Sequence, residues 1–168
     1  EGMTFVPVNN RLWLGADSEN RIYEVDKDSG HLLSTIGAAQ LATALDFATR
    51  RTSAGTARAG DIEGLAYDPW QDLLYVFSGN CCPEPPAVFR LVRGSNGQFQ
   101  VETYQPLPSS SNFTGAAFHP TERTLYVSDG GDIKPYDYAT NTRGATVPIN
   151  GVDGTIYGMG FSADGADL

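Results

Sequence analysis

The sequence predicts an all-β chain built from repeated four-stranded antiparallel units, and three observations carry that prediction. One phrase recurs four times along 168 residues. Short runs rich in β-branched and aromatic residues follow each copy, and Gly, Pro, Asn and Asp punctuate the runs.

The phrase comes first because it sets the register of everything after it. "EGMTFVPVNNRLWL" (1–14), "EGLAYDPWQDLLYV" (63–76), "TGAAFHPTERTLYV" (114–127) and "YGMGFSADGADL" (157–168) align without a gap. Gly stands second in every copy (Gly2, Gly64, Gly115, Gly158) and an aromatic fifth (Phe5, Tyr67, Phe118, Phe161). A turn follows, and then Leu with an aromatic: Leu12-Trp13, Leu74-Tyr75, Leu125-Tyr126. The copies start 62, 51 and 43 residues apart, close to the roughly 40 to 50 residues of a four-stranded propeller blade. The first strand of each unit is then an inner strand near a narrow axis. A residue without a side chain in second place lets neighbouring backbones approach there.

The remaining strands follow in rhythm. Third runs are "RIYEV" (21–25), "AVFRL" (87–91) and "IKPYDY" (133–138). Fourth runs are "HLLSTI" (ending at 36), "FQVETY" (99–104) and "ATVPI" (145–149). Pro135 inside a third run implies an irregular strand, or one whose missing N–H faces no partner. The expected units are 1–36, 62–107, 113–149 and a truncated 156–168, within one domain of 1–168, with an insertion at 37–60. In that insertion Leu41, Leu45 and Ala48 recur at helical spacing. Two readings stand there, a short amphipathic helix over about 38–50 or an extended outer strand. "TSAGTARAG" after it reads as a loop. A closed propeller needs at least about four blades, so three full units and the first strand of a fourth imply a β-propeller fragment or an open set of blades. The strand phrase at residue 1 implies a trimmed or processed start.

Composition narrows the partners. Eleven Lys plus Arg stand against 20 Asp plus Glu, for a formal net charge of -9, a surface that repels phosphate backbones and excludes nucleic acid as an expected partner. No apolar run approaches the roughly 20 residues of a membrane-spanning helix, and no signal-like segment opens the chain.

Hard oxygen ligands gather where the loops should meet. Glu1 and Glu63 head inner strands, with Thr114 and Tyr157 in the equivalent places. Asp61 and Asp153 lie just upstream of inner strands, and Asp17, Asn20, Asn80, Asp129 and Asp132 fall in loops between second and third strands. Glu1, Glu63, Asp61, Asp129 and Asp132 are the candidate ligands of a divalent cation, Ca²⁺ before others. The plainer reading is that Glu63 and Asp61 hold backbone amides at a loop-to-strand transition.

Cys81 and Cys82 are adjacent in "GNCCPEPP" and are the only cysteines. They match neither a haem attachment site nor a zinc CxxC, and no haem or nucleotide site is expected. Three readings stand: a vicinal disulfide ring beside the loop face, two free thiols, or bonds to another chain. The first suits an oxidising, extracellular or periplasmic setting.

A nucleophile search returns little. No GxSxG elbow is present, and His31 and His119, the only histidines, lack a Ser-Asp partner at recognisable spacing. His119 takes the turn place of Asp68. Trp13 is expected in the core. Trp70 is expected in a hairpin turn, packed between blades or presented to sugar or protein. "NFT" (112–114) matches a glycosylation acceptor, but Thr114 heads a strand, so the match is read as chance unless the source is eukaryotic.

The inner "EG-hydrophobic" phrase leading to "LYV" and then Ser-Asp (Ser128-Asp129) resembles the blades of NHL, gluconolactonase-like and esterase-like phytase propellers. In the gluconolactonase-like family the Glu of the first "EG" phrase is a metal ligand, so the resemblance points to Glu1 or Glu63. The family's phrase continues with Pro, where this chain has Met3 and Leu65. Two functions remain expected from different classes. The first is a non-enzymatic extracytoplasmic interaction or assembly module, meeting a protein or its own copies through exposed terminal blades. The second is a divalent-metal-dependent hydrolase of lactonase or phosphoesterase type.

Overall fold

A computed structural model describes residues 2–16, 21–37, 62–79, 86–108, 110–149, 151, 153–162 and 164–168. The expected helix and loop at 38–60 lie outside them. Among the described residues, twelve strands form three antiparallel sheets in sequence order. The first holds β1 (Met3–Val6), β2 (Arg11–Ala16), β3 (Arg21–Asp26) and β4 (Leu32–Ile36). The second holds β5 (Ile62–Asp68), β6 (Leu73–Ser78), β7 (Ala87–Arg93) and β8 (Phe99–Pro106), and the third β9 (Phe113–Phe118), β10 (Leu125–Asp129), β11 (Asp132–Asp137) and β12 (Thr142–Arg143).

The repeated phrase is a hairpin, and its register repeats with it. Phe5 pairs with Leu12, Tyr67 with Leu74 and Phe118 with Leu125. The tenth residue of each of the first three copies takes a left-handed conformation: Asn10 at φ 58°, Asp72 at 52° and Arg123 at 56°. That tight turn places the fifth and twelfth residues opposite each other.

The inner strands β1, β5 and β9 lie side by side, and the second-place glycines make this possible. A Cβ on Gly2 would stand 2.7 Å from the Leu65 nitrogen, one on Gly64 3.0 Å from the Ala116 nitrogen, and one on Gly115 2.8 Å from the Gly158 nitrogen. Each glycine thus clears room for the next copy's backbone. The fourth copy joins this staircase without forming a regular strand. Its Gly158 N–H donates to the Thr114 carbonyl (3.3 Å) and the Ile156 N–H to the Gly130 carbonyl (3.0 Å).

Side chains alternate across each sheet, and two apolar cores result. Val6, Trp13, Ile22 and Ile36 of the first sheet meet Leu65, Tyr67, Leu74, Val76, Phe89, Leu91 and Phe99 of the second. Tyr75, Phe77 and Val88 of the second meet Phe113, Leu125, Val127, Tyr136 and Tyr138 of the third. Trp13 is fully buried, its ring edge-on to Phe99 with centroids 5.3 Å apart. Places three, five, twelve and fourteen of the phrase therefore face the preceding sheet. Places four, six and thirteen face the following one, and Phe161 of the fourth copy accordingly stacks near His119 and Tyr126 of the third sheet, at 4.5 and 5.4 Å.

The fourth strand of the third sheet departs from expectation. The run at 145–149 does not form a strand; β12 comes earlier, at Thr142–Arg143, and residue 147 makes only an isolated bridge with Ile133. Pro135 supplies the reason. Its carbonyl accepts from Gly144 N–H at 2.8 Å, so its side of β11 faces the fourth strand, where proline has no N–H to return.

Candidate functional site

Of the expected metal ligands, Glu1 and Asp61 lie outside the described residues, as do Asp17, Asn20, Asn80, Cys81 and Cys82. The structure places the remaining three as follows. Glu63, in β5, packs its side chain over Gly79, where a Cβ would meet its Oε1 at 2.7 Å. Asp129 and Asp132 flank the β10–β11 turn. Asp129 accepts from the Arg143 guanidinium at 2.5 Å and from the Asn112 amide at 3.0 Å, and Lys134 stands 3.5 Å from it and 3.0 Å from Asp132. These two carboxylates thus share Lys134. The segment carrying Asp153 reaches the same turn, since a Cβ on Gly131 would lie 2.7 Å from the Gly154 carbonyl, while Asp153 itself is exposed. Among the described residues, no three His, Cys, Asp or Glu side chains gather as a metal-binding group.

Thr114 turns inward at the head of β9. Its hydroxyl donates to the Ile156 carbonyl at 2.5 Å and lies 3.1 Å from the Ser128 hydroxyl. That buried pair ties the fourth copy to the third sheet.

His119 does the work of a turn acceptor. Its Nδ1 accepts from the Thr121 and Glu122 amides at 3.3 and 3.1 Å. In the second hairpin, Asp68 Oδ1 accepts from the equivalent amides of Trp70 and Gln71 at 2.8 and 3.3 Å. Asp137 holds the β11–β12 turn in the same manner through the Ala139 and Thr140 amides, and the Thr140 hydroxyl first, then these amides, keep its carboxyl below the usual range.

Trp70 is both bridge and surface. It is 55% exposed, its indole N–H donates to the Pro120 carbonyl of the next hairpin at 3.0 Å, and the Arg123 guanidinium stacks 4.1 Å from its ring centroid. Beside this pair a cleft of about 530 Å³ opens between the second and third sheets, lined among others by Asp68, Tyr75, Arg90, Arg123, Tyr138 and Arg143. Sequence reasoning placed Trp70 in its turn but missed the cleft, because Arg90, Arg123 and Arg143 come from three different strands or turns. A second cavity of about 450 Å³ surrounds the fifth-place aromatics Phe5, Tyr67, Phe118 and Phe161 near the axis.

The same cavity borders the open apolar face of the first sheet, since Met3, Phe5 and Leu12 line it. Met3 and Phe5 are 59% and 42% exposed, and Leu32 and Leu33 of β4 are exposed as well. The phrase places of Met3 and Phe5 are the ones that face a preceding sheet in the second and third units. Leu65 and Tyr67, in the same two places, are 1% and 5% exposed.

Three four-stranded sheets with glycine-stacked inner strands define a β-propeller fold, present here as an open set of blades. No family model and no curated protein matches the chain. Solved structures do match, at low identity, and they carry propeller-type folds. The chain is similar to U3-55K, at 14% identity and TM-score 0.55, over 95% of this chain and 41% of that one. It is also similar to a chain of the mitotic checkpoint complex, at 16% identity and TM-score 0.56, over 98% and 43% respectively. Hydrazine synthase of Kuenenia stuttgartiensis matches at 16% identity and TM-score 0.57, over 98% and 39%. The chain thus spans about two-fifths of each of these structures. Among the described residues, no helix is long and apolar enough to cross a membrane.

Proposed function

We propose that this propeller segment is a non-enzymatic interaction or assembly module whose outer first-sheet face is covered by another protein surface or by a further copy of the chain. One observation carries the reading: Met3 and Phe5 lie exposed in the phrase places that the second and third sheets bury against a neighbour. An apolar sheet face of this kind gains stability when covered. The pairing of Asp129 with Arg143 and of both Asp129 and Asp132 with Lys134 favours this reading over the divalent-metal hydrolase, which would need those carboxylates turned toward an ion. The NHL-like, gluconolactonase-like or phytase-like affiliation rests on the "EG" phrases alone, and an extracytoplasmic setting rests on Cys81 and Cys82. Thiol titration of the folded and the denatured chain checks the latter.

Light scattering with and without a chelator tests the main reading. A defined assembly that persists in chelator and falls apart in Met3→Glu/Phe5→Gln supports it. A monomer at every concentration, failing to capture any partner through this face, overturns it. A monomer that melts early on calcium removal favours the hydrolase reading and calls for lactone and phosphoester assays.

A further inference from the structure

The cleft between the second and third sheets has an imbalance of hydrogen-bonding groups. Its carboxylates are already in use. Asp68 accepts from the Trp70 and Gln71 amides and from the Gln71 side chain at 2.9 Å, and Asp137 accepts from Ala139 and Thr140. Two of its three guanidiniums are also in use: Arg90 binds Glu102 at 2.6 Å and Arg143 binds Asp129 at 2.5 Å.

Two donors stay open. Among the described residues, Arg123 makes no side-chain hydrogen bond or ion pair and is held only by its stack on Trp70. The Tyr75 hydroxyl likewise has no hydrogen-bond partner there, although the residue is 6% exposed and its ring packs against Tyr138 at 5.5 Å. Burial, with nearby Asp68 second, pushes the Tyr75 phenol up to about 12, so it is an O–H donor at neutral pH. The unfilled valence of the cleft is therefore that of hydrogen-bond donors, one of them charged. Around them stand Phe118, Leu125 and Pro135.

We infer that this cleft is a binding site for a carboxylate carried on an apolar body, with Arg123 as the charged donor and Tyr75 as the neutral one, while Trp70 stands behind Arg123 and reports on it. Guanidinium and carboxylate match as a two-pronged pair. A volume of about 530 Å³ lies within the range of small-ligand sites. Trp, Tyr and Arg are also the side chains that dominate binding hot spots, so the carboxylate can come from a free organic acid or from an acidic side chain of a partner segment. With a formal net charge of -9, the chain repels anions at a distance, so recognition here is by contact geometry and not by steering.

Tryptophan fluorescence reads the site through the Arg123 stack, because Trp70 lies against that guanidinium at 55% exposure while Trp13 is fully buried. Acrylamide, a neutral quencher, reports Trp70 in the full chain. The probes are benzoate, an acetyl-capped Glu-Phe-Glu peptide, and uncharged benzamide as control. The expected result is saturable protection of Trp70 by benzoate, by the peptide or by both, and none by benzamide at equal concentration. Arg123→Gln should weaken it at least tenfold and Tyr75→Phe about threefold, with an unchanged unfolding midpoint. Tighter binding of the peptide assigns the source to a partner segment, and tighter binding of benzoate to a free acid. Absence of saturable protection up to 10 mM of either probe (about the weakest affinity worth assigning,), or protection unchanged in Arg123→Gln, overturns the inference. The outcome is independent of assembly through the first sheet, which light scattering reads separately.

Discussion

Met3 and Leu65 occupy the same place in the repeated phrase, as do Phe5 and Tyr67, and both pairs sit in hairpins of identical register. Their surroundings nonetheless differ throughout. All six residues of β6 are buried, whereas only Trp13 is buried in β2, its counterpart in the first sheet. The second sheet has a neighbour on each face and the first has one on a single face. The difference teaches that the phrase specifies a strand and its two apolar sides, while burial belongs to the stack of sheets.

The sharpest way to break this comparison is truncation at the shared third place. Leu65→Ala should cost about 3 kcal/mol, the usual cavity cost in a packed core. Met3→Ala, at 59% exposure, should cost less than about 0.5 kcal/mol in the monomer. Chemical denaturation of both variants checks it, and equal losses would mean that the first face is already covered in solution.

Glycine substitution probes the axis instead of the faces. Gly64→Ala forces a Cβ against the Ala116 nitrogen and the Gly115 carbonyl carbon, both at 3.0 Å, and should cost about 2 kcal/mol as an overpacking change. Gly160→Ala, with open space around its Cβ position, should be near neutral. Their thermal midpoints, measured side by side, separate backbone crowding from a general intolerance of larger residues.

A smaller effect concerns the hairpin turns. Asp68→Ala removes the acceptor of two turn amides in the second hairpin and should cost about 1 to 2 kcal/mol. Val6 fills that place in the first hairpin, where Pro7–Asn9 form a 3₁₀ turn with no side-chain cap, so Val6→Asp has no equivalent loss to repair. Its buried carboxylate would face the apolar core and destabilise, and denaturation midpoints of the two variants should move the same way for opposite reasons.

The smallest expected effect is electrostatic. Burial pushes the Asp72 carboxyl up, but hydrogen bonds from Arg93 and Tyr67 and the Arg93 charge outweigh it, leaving the carboxyl below its usual value. A lowered native value stabilises the fold above the unfolded value of about 3.9. That contribution is lost as pH falls through the lowered native value. Asp72→Asn should flatten the acid limb of the stability profile below about pH 4, by less than about 1 kcal/mol for so exposed a pair. An unchanged limb would show that the pair contributes nothing at this hairpin.

Much of the architecture was legible because it is written in local rules. Gly2, Gly64, Gly115 and Gly158 were recognisable as points of close backbone approach, and the missing Cβ atoms of the first three bear that out, whereas Gly158 has open space at its Cβ position and a left-handed φ of 82°. Trp13 was recognisable as core from its alignment with Tyr75 and Tyr126 in the sister copies. The fourth run of the third sheet was misplaced, at 145–149 instead of Thr142–Arg143. Strand-like composition located an apolar run there, but hydrogen bonding to a strand containing Pro135 decided where pairing could occur. The cation partners of Asp129 and Asp132 were illegible because Arg143 and Lys134 reach them across the sheet and the β10–β11 turn.

The sequence by itself determined most of the strands, the turn inside each hairpin and the glycine-lined axis, because dihedral preference and side-chain size act within a few residues. The stacking of sheets decided the rest. It buried Leu65 and left Met3 open, set Trp70 beneath Arg123, and brought Tyr75 of β6 to face a cleft shared with the next hairpin. Burial and the pairing of charges depend on which surfaces meet, and residues far apart in the chain supply those surfaces.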